Sequence, residues 1–151
     1  MHRRAALALL VLSAPPLLGA QCSITGPGEA GDLEDARERW AAAAIDNYTF
    51  VLQRSCFCAG GNEPVRIVVR DGVPASYTVV ETGDPLPQEW REAYPTVEEL
   101  FDIIEDAIED ADEIVVSYDS ARGYPVRVDI DYIGRAIDDE MGYIISEFRV
   151  D

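Results

Sequence analysis

Lysine is absent from this chain and the single histidine stands at position 2, so all 12 basic residues are arginine, against 29 aspartates and glutamates. The formal net charge at pH 7 is −17. Nucleic acid and anionic lipid both call for a cationic footprint, and this balance argues against either as a partner. With His2 the only imidazole, the commonest general base and metal ligand is missing from the body of the chain. No Gly-rich phosphate loop, Ser/His/Asp set or His-Glu-x-x-His motif is present, so the sequence offers no catalytic constellation. Nor is there an apolar run of the roughly 20 residues that a membrane-spanning helix needs. A hydrophobic content of 48% is nevertheless ample for a packed core, so the charge does not imply disorder.

The first 20 residues read as a secretory signal. Arg3 and Arg4 form the basic start, residues 5–12 the apolar centre, and Pro15-Pro16 break the helix before Leu18-Gly19-Ala20. Two routes of processing are open. Cleavage after Ala20 leaves Gln21 at the new N-terminus; alternatively Cys22 carries a lipid anchor, as in bacterial lipoproteins, although Gln21 stands where such signals place a small residue. Removing residues 1–20, which hold two arginines and no acid, takes the net charge from −17 to −19. Residues 21–32, with Gly26, Pro27, Gly28 and Gly31, read as a flexible spacer. A single domain is expected over 33–151.

Within it the periodicity alternates between helix and strand. Leu33, Ala36, Trp40, Ala43 and Ala44 recur at helical spacing over 33–46. Tyr48, Phe50 and Leu52 then alternate along a strand that runs into Cys56-Phe57-Cys58. Residues 64–70 and 73–81 make a hairpin about Asp71-Gly72, a strong two-residue turn signal. Residues 82–94 form a loop. Thr96 and Glu99 then make a capping box for a second helix to about residue 110, with Val97, Leu100, Phe101, Ile104 and Ile108 inward and seven acids outward. Strands follow over 113–119, 125–132 and 141–150, the last with Ile144, Ser146, Phe148 and Val150 inward.

The order is helix, three strands, helix, three strands, and Pro64-Val-Arg-Ile67 recurs as Pro125-Val-Arg-Val128 at the same place in each unit. One such unit cannot bury its own apolar faces, so the two units, 33–81 and 96–150, are expected to share a core. The fold predicted is α+β: two αβββ units in tandem, a six-stranded antiparallel sheet, and both helices packed on one face. Arg66 and Arg70 take the places in the first unit that Asp129 and Asp131 take in the second, and adjacent strands would set them opposite one another.

Several segments together resemble an uncharacterised bacterial exported family, domain of unknown function 6174. They are Tyr48-Thr-Phe with Cys56-Phe-Cys58, Val69-Arg-Asp-Gly72, Tyr94-Pro-Thr-Val97 with Leu100-Phe101, Tyr118-Asp119, Gly123-Tyr-Pro125, Ile130-Asp-Tyr132, and Asp138-Asp-Glu140 with Tyr143. The resemblance covers about residues 37–150. It implies export and often a lipid anchor, and it implies no activity; Gln21 departs from the anchor pattern.

Three groups of residues carry candidate chemistry. Among Cys22, Cys56 and Cys58 three pairings are open, and one sulfur is left over in each. Residues two apart on a flat strand lie about 6.5–7 Å between Cα atoms, at the upper limit for a disulfide, so pairing Cys56 with Cys58 requires a bend at Phe57. The pair reads as a clasp ending the strand, a redox couple, or half of a metal site. Asp129 and Asp131 share a strand face and Asp138, Asp139 and Glu140 follow in the next loop; such oxygens suit calcium, though no EF-hand loop is present. Tyr118, Asp119 and Tyr124 flank one hairpin turn and could contact a ligand. The expected protein is a non-catalytic exported domain without cofactor, a binding or structural module that meets an envelope or extracellular protein. Two alternatives from other classes stay open: a thiol–disulfide redox protein using Cys56 and Cys58, and a calcium-dependent module using Asp129, Asp131 and residues 138–140.

Overall fold

A computed structural model describes residues 27–58, 62–134 and 139–151. The signal segment, Cys22 and Asp138 lie outside the described residues. Helix α1 spans Pro27–Ala43, strand β1 Tyr48–Cys56, β2 Val65–Arg70 and β3 Val73–Val79. A 3-10 turn over Gln88–Ala93 leads to helix α2, Val97–Asp110, and then to β4 Glu113–Tyr118, β5 Pro125–Asp131 and β6 Glu140–Val150. The six strands form one antiparallel sheet in the order β3-β2-β1-β6-β5-β4. Each unit contributes a meander, and β1 pairs with β6 to join them. The α+β architecture expected from the sequence is the one observed, with both helices contributing to a single core.

Local chemistry explains most boundaries. α1 begins at Pro27, inside the stretch read as a spacer, because proline is tolerated in the first helical turn, where its missing N–H has no partner to lose. Asp71 and Gly72 both adopt left-handed φ, 51° and 72°, as a tight hairpin turn between twisted strands demands. Thr96 caps α2 reciprocally: its hydroxyl accepts from the Glu99 N–H and the Glu99 carboxylate accepts from the Thr96 N–H. Val97, Leu100, Phe101, Ile104 and Ala107 are buried along α2, and Ile108 is half-buried.

Three readings of the sequence are corrected. Ala43 and Ala44, set on the apolar stripe of the first helix by their spacing, are exposed; the small residue of that stripe that is fully buried is Ala36. In β6 the inward residues are Tyr143 and Ile145, while Ile144 and Ser146 face outward. The cause is a bulge: between Thr49 and Val51 the partner strand advances from Arg149 to Ser146, and Glu147 takes φ 51°. The extra residue restores Phe148 to the core. Finally, β2 and β5 are not neighbours, so Arg66 and Arg70 do not meet Asp129 and Asp131. Arg66 pairs with Glu147 at 2.8 Å and Arg70 with Asp151 at 2.8 Å.

The core is aromatic at its centre. Tyr48 packs on Phe50, Phe148 and the edge of Trp40 with ring centroids 5.4–5.7 Å apart, and Tyr124 stacks on Phe148 at 4.2 Å. Tyr48 is wholly buried, yet its hydroxyl is satisfied: it donates to the Glu98 carboxylate at 2.6 Å and accepts from the Val97 N–H at 3.3 Å. The same carboxylate accepts from the Trp40 indole at 3.0 Å.

Two substitutions at left-handed positions are expected to act in opposite directions. Gly123 (φ 86°) lies against α1, and a Cβ there would collide with the Ala36 carbonyl and come within 2.9 Å of the Arg39 Cβ. Gly123→Ala will lower stability by about 1–3 kcal/mol. Ala44, at φ 47° just past α1, already carries the left-handed strain of a non-glycine residue, so Ala44→Gly will raise stability by about 0.5–1 kcal/mol; urea midpoints measure both.

A second expectation concerns pH. Burial raises the hydroxyl pKa values of Tyr48, Tyr77, Tyr94, Tyr124, Tyr132 and Tyr143, and for Tyr48 the hydrogen bond to Glu98 adds to it. A raised folded value means that the contribution is complete below the unfolded tyrosine value of about 10 and is lost above it. Stability will therefore hold to about pH 9 and decline steeply beyond about pH 10. Phenolate absorbance will rise together with the loss of circular dichroism; phenolate formation in a chain that keeps its native spectrum would contradict this.

Candidate functional site

The strands place two clusters at one end of the sheet, the end where β1 stops and β6 begins. The first cluster is built on the inward parity of β1. Tyr48, Phe50 and Leu52 are fully buried on that face, and the next member of the series is Arg54, then Cys56. Beyond Cys56 the chain leaves the sheet, bringing Cys56 and Cys58 to 5.2 Å between Cα atoms with their sulfurs in contact. That spacing is shorter than a flat strand allows and lies within the range of a disulfide. Cys56 is half-buried, whereas Phe57 and Cys58 are exposed.

Arg54 is the residue that the sequence reading passed over. Its Nη2 donates to Cys56 Sγ at 3.0 Å and to Cys58 Sγ at 2.8 Å. The side chain is 8% exposed. Its Nη1 is buried without a hydrogen-bond partner, and Arg54 takes part in no ion pair among the described residues. Tyr94 and Tyr143 are its aromatic neighbours; burial raises both hydroxyl pKa values while the Arg54 charge pulls them down. An arginine in phase with Tyr48, Phe50 and Leu52, two residues before the first cysteine, was the available signal.

The second cluster is on the opposite, open face. Glu113 on β4 pairs with Asp131 on β5, and Asp131 pairs with Glu140 on β6. Three carboxylates thus stand in one lateral row across three strands, about 4.8 Å from strand to strand. Among the described residues no ion pair reaches any of the three; Asp131 accepts only the Ile133 N–H, at 3.1 Å. Asp129, one row along, is held by Arg127 through two hydrogen bonds of 2.6 and 2.9 Å. This bond raises the Arg127 pKa.

Between the two clusters lies a cleft of about 500 Å³. Ser55, Cys56, Asn62, Asp129 and Glu140 are among its lining residues, with Phe57 and Met141 as apolar walls. Gly142 forms part of the floor, and a Cβ there would strike the Ser55 hydroxyl. Asn62 turns back onto the end of β1, donating to the Cys56 carbonyl at 3.3 Å.

The other candidates fall elsewhere. Tyr118, Asp119 and Tyr124 lie at the far end of the sheet, where β4 meets the start of β5. There Tyr118 stacks on Phe101 and Tyr124 on Phe148, while the Asp119 carboxylate accepts the N–H groups of Ala121 and Arg122. The structure therefore gives them core and turn roles. Asp139 keeps both carboxylate oxygens buried without a hydrogen-bond partner among the described residues. No group of three or more His, Cys, Asp or Glu side chains among the described residues is arranged to hold a metal ion. No helix there is long and apolar enough to cross a membrane.

Residues 32–150 match the family of unknown function DUF6174. The chain belongs to that family. The match begins within α1 and takes in all six strands, so the cysteine pair, Arg54 and the carboxylate row all fall inside the DUF6174 region. No curated protein matches the chain.

Energetics separate the two clusters. A bond between residues two apart closes so short a loop that it restricts the unfolded chain by only about 1.5 kcal/mol. That is small beside the roughly 5–15 kcal/mol that holds a folded domain. The carboxylate row acts against the fold, because like charges directly opposite on neighbouring strands repel. Glu140→Gln is therefore expected to stabilise the protein by about 0.2–0.5 kcal/mol at low ionic strength, with the gain shrinking in high salt. Urea unfolding at two salt concentrations measures it, and a loss of stability would show that Glu140 is paired in solution.

Proposed function

We propose that this DUF6174 protein is an exported, non-catalytic binding and structural module whose acidic cleft engages a cationic segment of an envelope or extracellular protein. The observation that carries this reading is the row Glu113, Asp131 and Glu140, three carboxylates in register without a described counter-ion along one side of the cleft. A row that repels itself in the free protein is relieved when an arginine or lysine side chain is laid across it, so part of the binding energy comes from removing that repulsion. The surface offers no competing lysine, since the chain has none. The apolar flank of Phe57 and Met141 suits the methylene stems of such side chains. Export rests on the signal-like residues 1–20, with free Gln21 and lipidated Cys22 as the two forms of the mature N-terminus.

Hexa-arginine peptide is a direct probe. Calorimetric titration will show binding that weakens strongly with added salt, and the double variant Glu113→Gln/Glu140→Gln will lose about tenfold or more in affinity. A control variant on the outer face of α2, Glu105→Gln/Asp106→Asn, will bind almost as the parent does. Equal losses in both variants would reduce the interaction to undirected charge attraction and overturn the assignment of the cleft.

A further inference from the structure

We infer that Cys56 and Cys58 form a thiol–disulfide exchange site in which the buried guanidinium of Arg54 holds the thiolate of the reduced pair. This inference is independent of the cleft's cationic partner. It starts from a buried charge that no carboxylate among the described residues pairs with. Arg54 is 8% exposed, and its Nη1 is buried with no hydrogen-bond partner among the described residues. Its Nη2 spends its two contacts on the sulfurs, at 3.0 Å from Cys56 and 2.8 Å from Cys58. A buried cation is costly unless an anion faces it. A bonded pair of sulfurs is neutral and accepts hydrogen bonds weakly, whereas a thiolate at either position brings the missing charge to the same nitrogen. The site therefore favours the reduced pair, and a pair whose reduced form is stabilised is readily reduced.

Access follows the same geometry. Cys58 is exposed and Cys56 half-buried at the edge of the cleft, so an external dithiol reaches Cys58 first. Its thiolate attacks Cys58 Sγ; the electron pair of the S–S bond passes to Cys56, which leaves as a thiolate beside Arg54. The second thiol of the dithiol gives its proton to solvent and attacks its own sulfur in the mixed disulfide, expelling Cys58. The dithiol is oxidised to its disulfide, the pair gains two electrons, and one of the two cysteines takes up a proton while the other keeps its charge against Arg54. Neither the fold nor the core depends on the bond, which closes only a three-residue segment at the end of β1.

The test uses the full chain carrying Cys22→Ser, reduced with dithiothreitol and freed of it. The pH dependence of iodoacetamide alkylation is measured in the native protein and in urea. The native protein is expected to show a thiolate midpoint at least about one pH unit below the ordinary cysteine value of about 8.5, and urea to restore that value. Arg54→Gln is expected to raise the native midpoint and to lower the reduced fraction at a fixed dithiothreitol ratio by about tenfold in the equilibrium constant; Arg54→Lys recovers part of both. Should Arg54→Gln fail to fold, the comparison of native and urea-unfolded parent still decides. An ordinary midpoint in the native parent, equal midpoints in parent and folded Arg54→Gln, or loss of the native circular dichroism on reduction would each overturn the inference.

Discussion

Tyr48 brings its hydroxyl to the point where both helices meet the sheet, and the architecture rests on how that one group is satisfied. It donates to Glu98 and accepts from the first N–H of α2, while Glu98 also receives the indole of Trp40 from α1. A strand, two helices and the aromatic centre of the core are thereby fixed relative to one another through three hydrogen bonds. Two of them are charge-assisted, each worth about 1.5–3 kcal/mol where neutral bonds give about 1. The carboxylate also sits in the first turn of α2, where the helix dipole favours it. By comparison the surface ion pairs between the helices, Arg37 with Asp102 at 3.0 Å and Glu105 at 2.8 Å, are exposed and contribute little. Their geometry follows from the packing and does not set it.

The two faces of the sheet are organised on different terms. On the helix side the buried side chains form one apolar and aromatic cluster, and the hydroxyls of Tyr48 and Tyr94 are individually partnered, with Arg54 at the end of β1 as the exception. On the open side the order of strands brings like charges together. Arg66 and Arg70 find partners near the C-terminus of the chain, but Glu113, Asp131 and Glu140 face one another. Stability resides on one face and electrostatic tension on the other, which is the arrangement expected where a surface is kept for binding rather than for holding the fold.

What could be read in the sequence divides along the range of the physics involved. The hairpin at Asp71-Gly72, the capping box of Thr96 and Glu99, and the α2 stripe are set by residues within a few positions of each other, and each was legible. The partners of Arg66 and Arg70 were not, because they depend on β6 inserting between β1 and β5, a pairing between segments almost at opposite ends of the domain. The face of Ile144 and Ser146 was misread for a related reason. A strict two-residue period admits no bulge, and Glu147 in a left-handed conformation gives no compositional sign of one, since that place more often belongs to glycine. The cysteine pair was recognised, but its neighbour Arg54 was not; an isolated charge in an apolar alternation was the local clue, and its contacts required the bend after Cys56. Among the acids, Asp129 and Asp131 were picked out by their spacing, while Glu113 entered only through its register with β5.

The joining of β1 to β6 has a consequence in time as well as in space. Residues 48–70 are made early, and the β1–β2 pair needs only local closure, but the other edge of β1 has its partner in residues 140–150. Until those residues are available, an apolar strand containing Tyr48, Phe50 and Leu52 presents a row of free backbone donors and acceptors, the kind of edge on which chains aggregate. Closure over such a separation makes for a high contact order and slow folding. The centre of the finished sheet is thus the last place to form, and the chain is most vulnerable while its final strand is still missing.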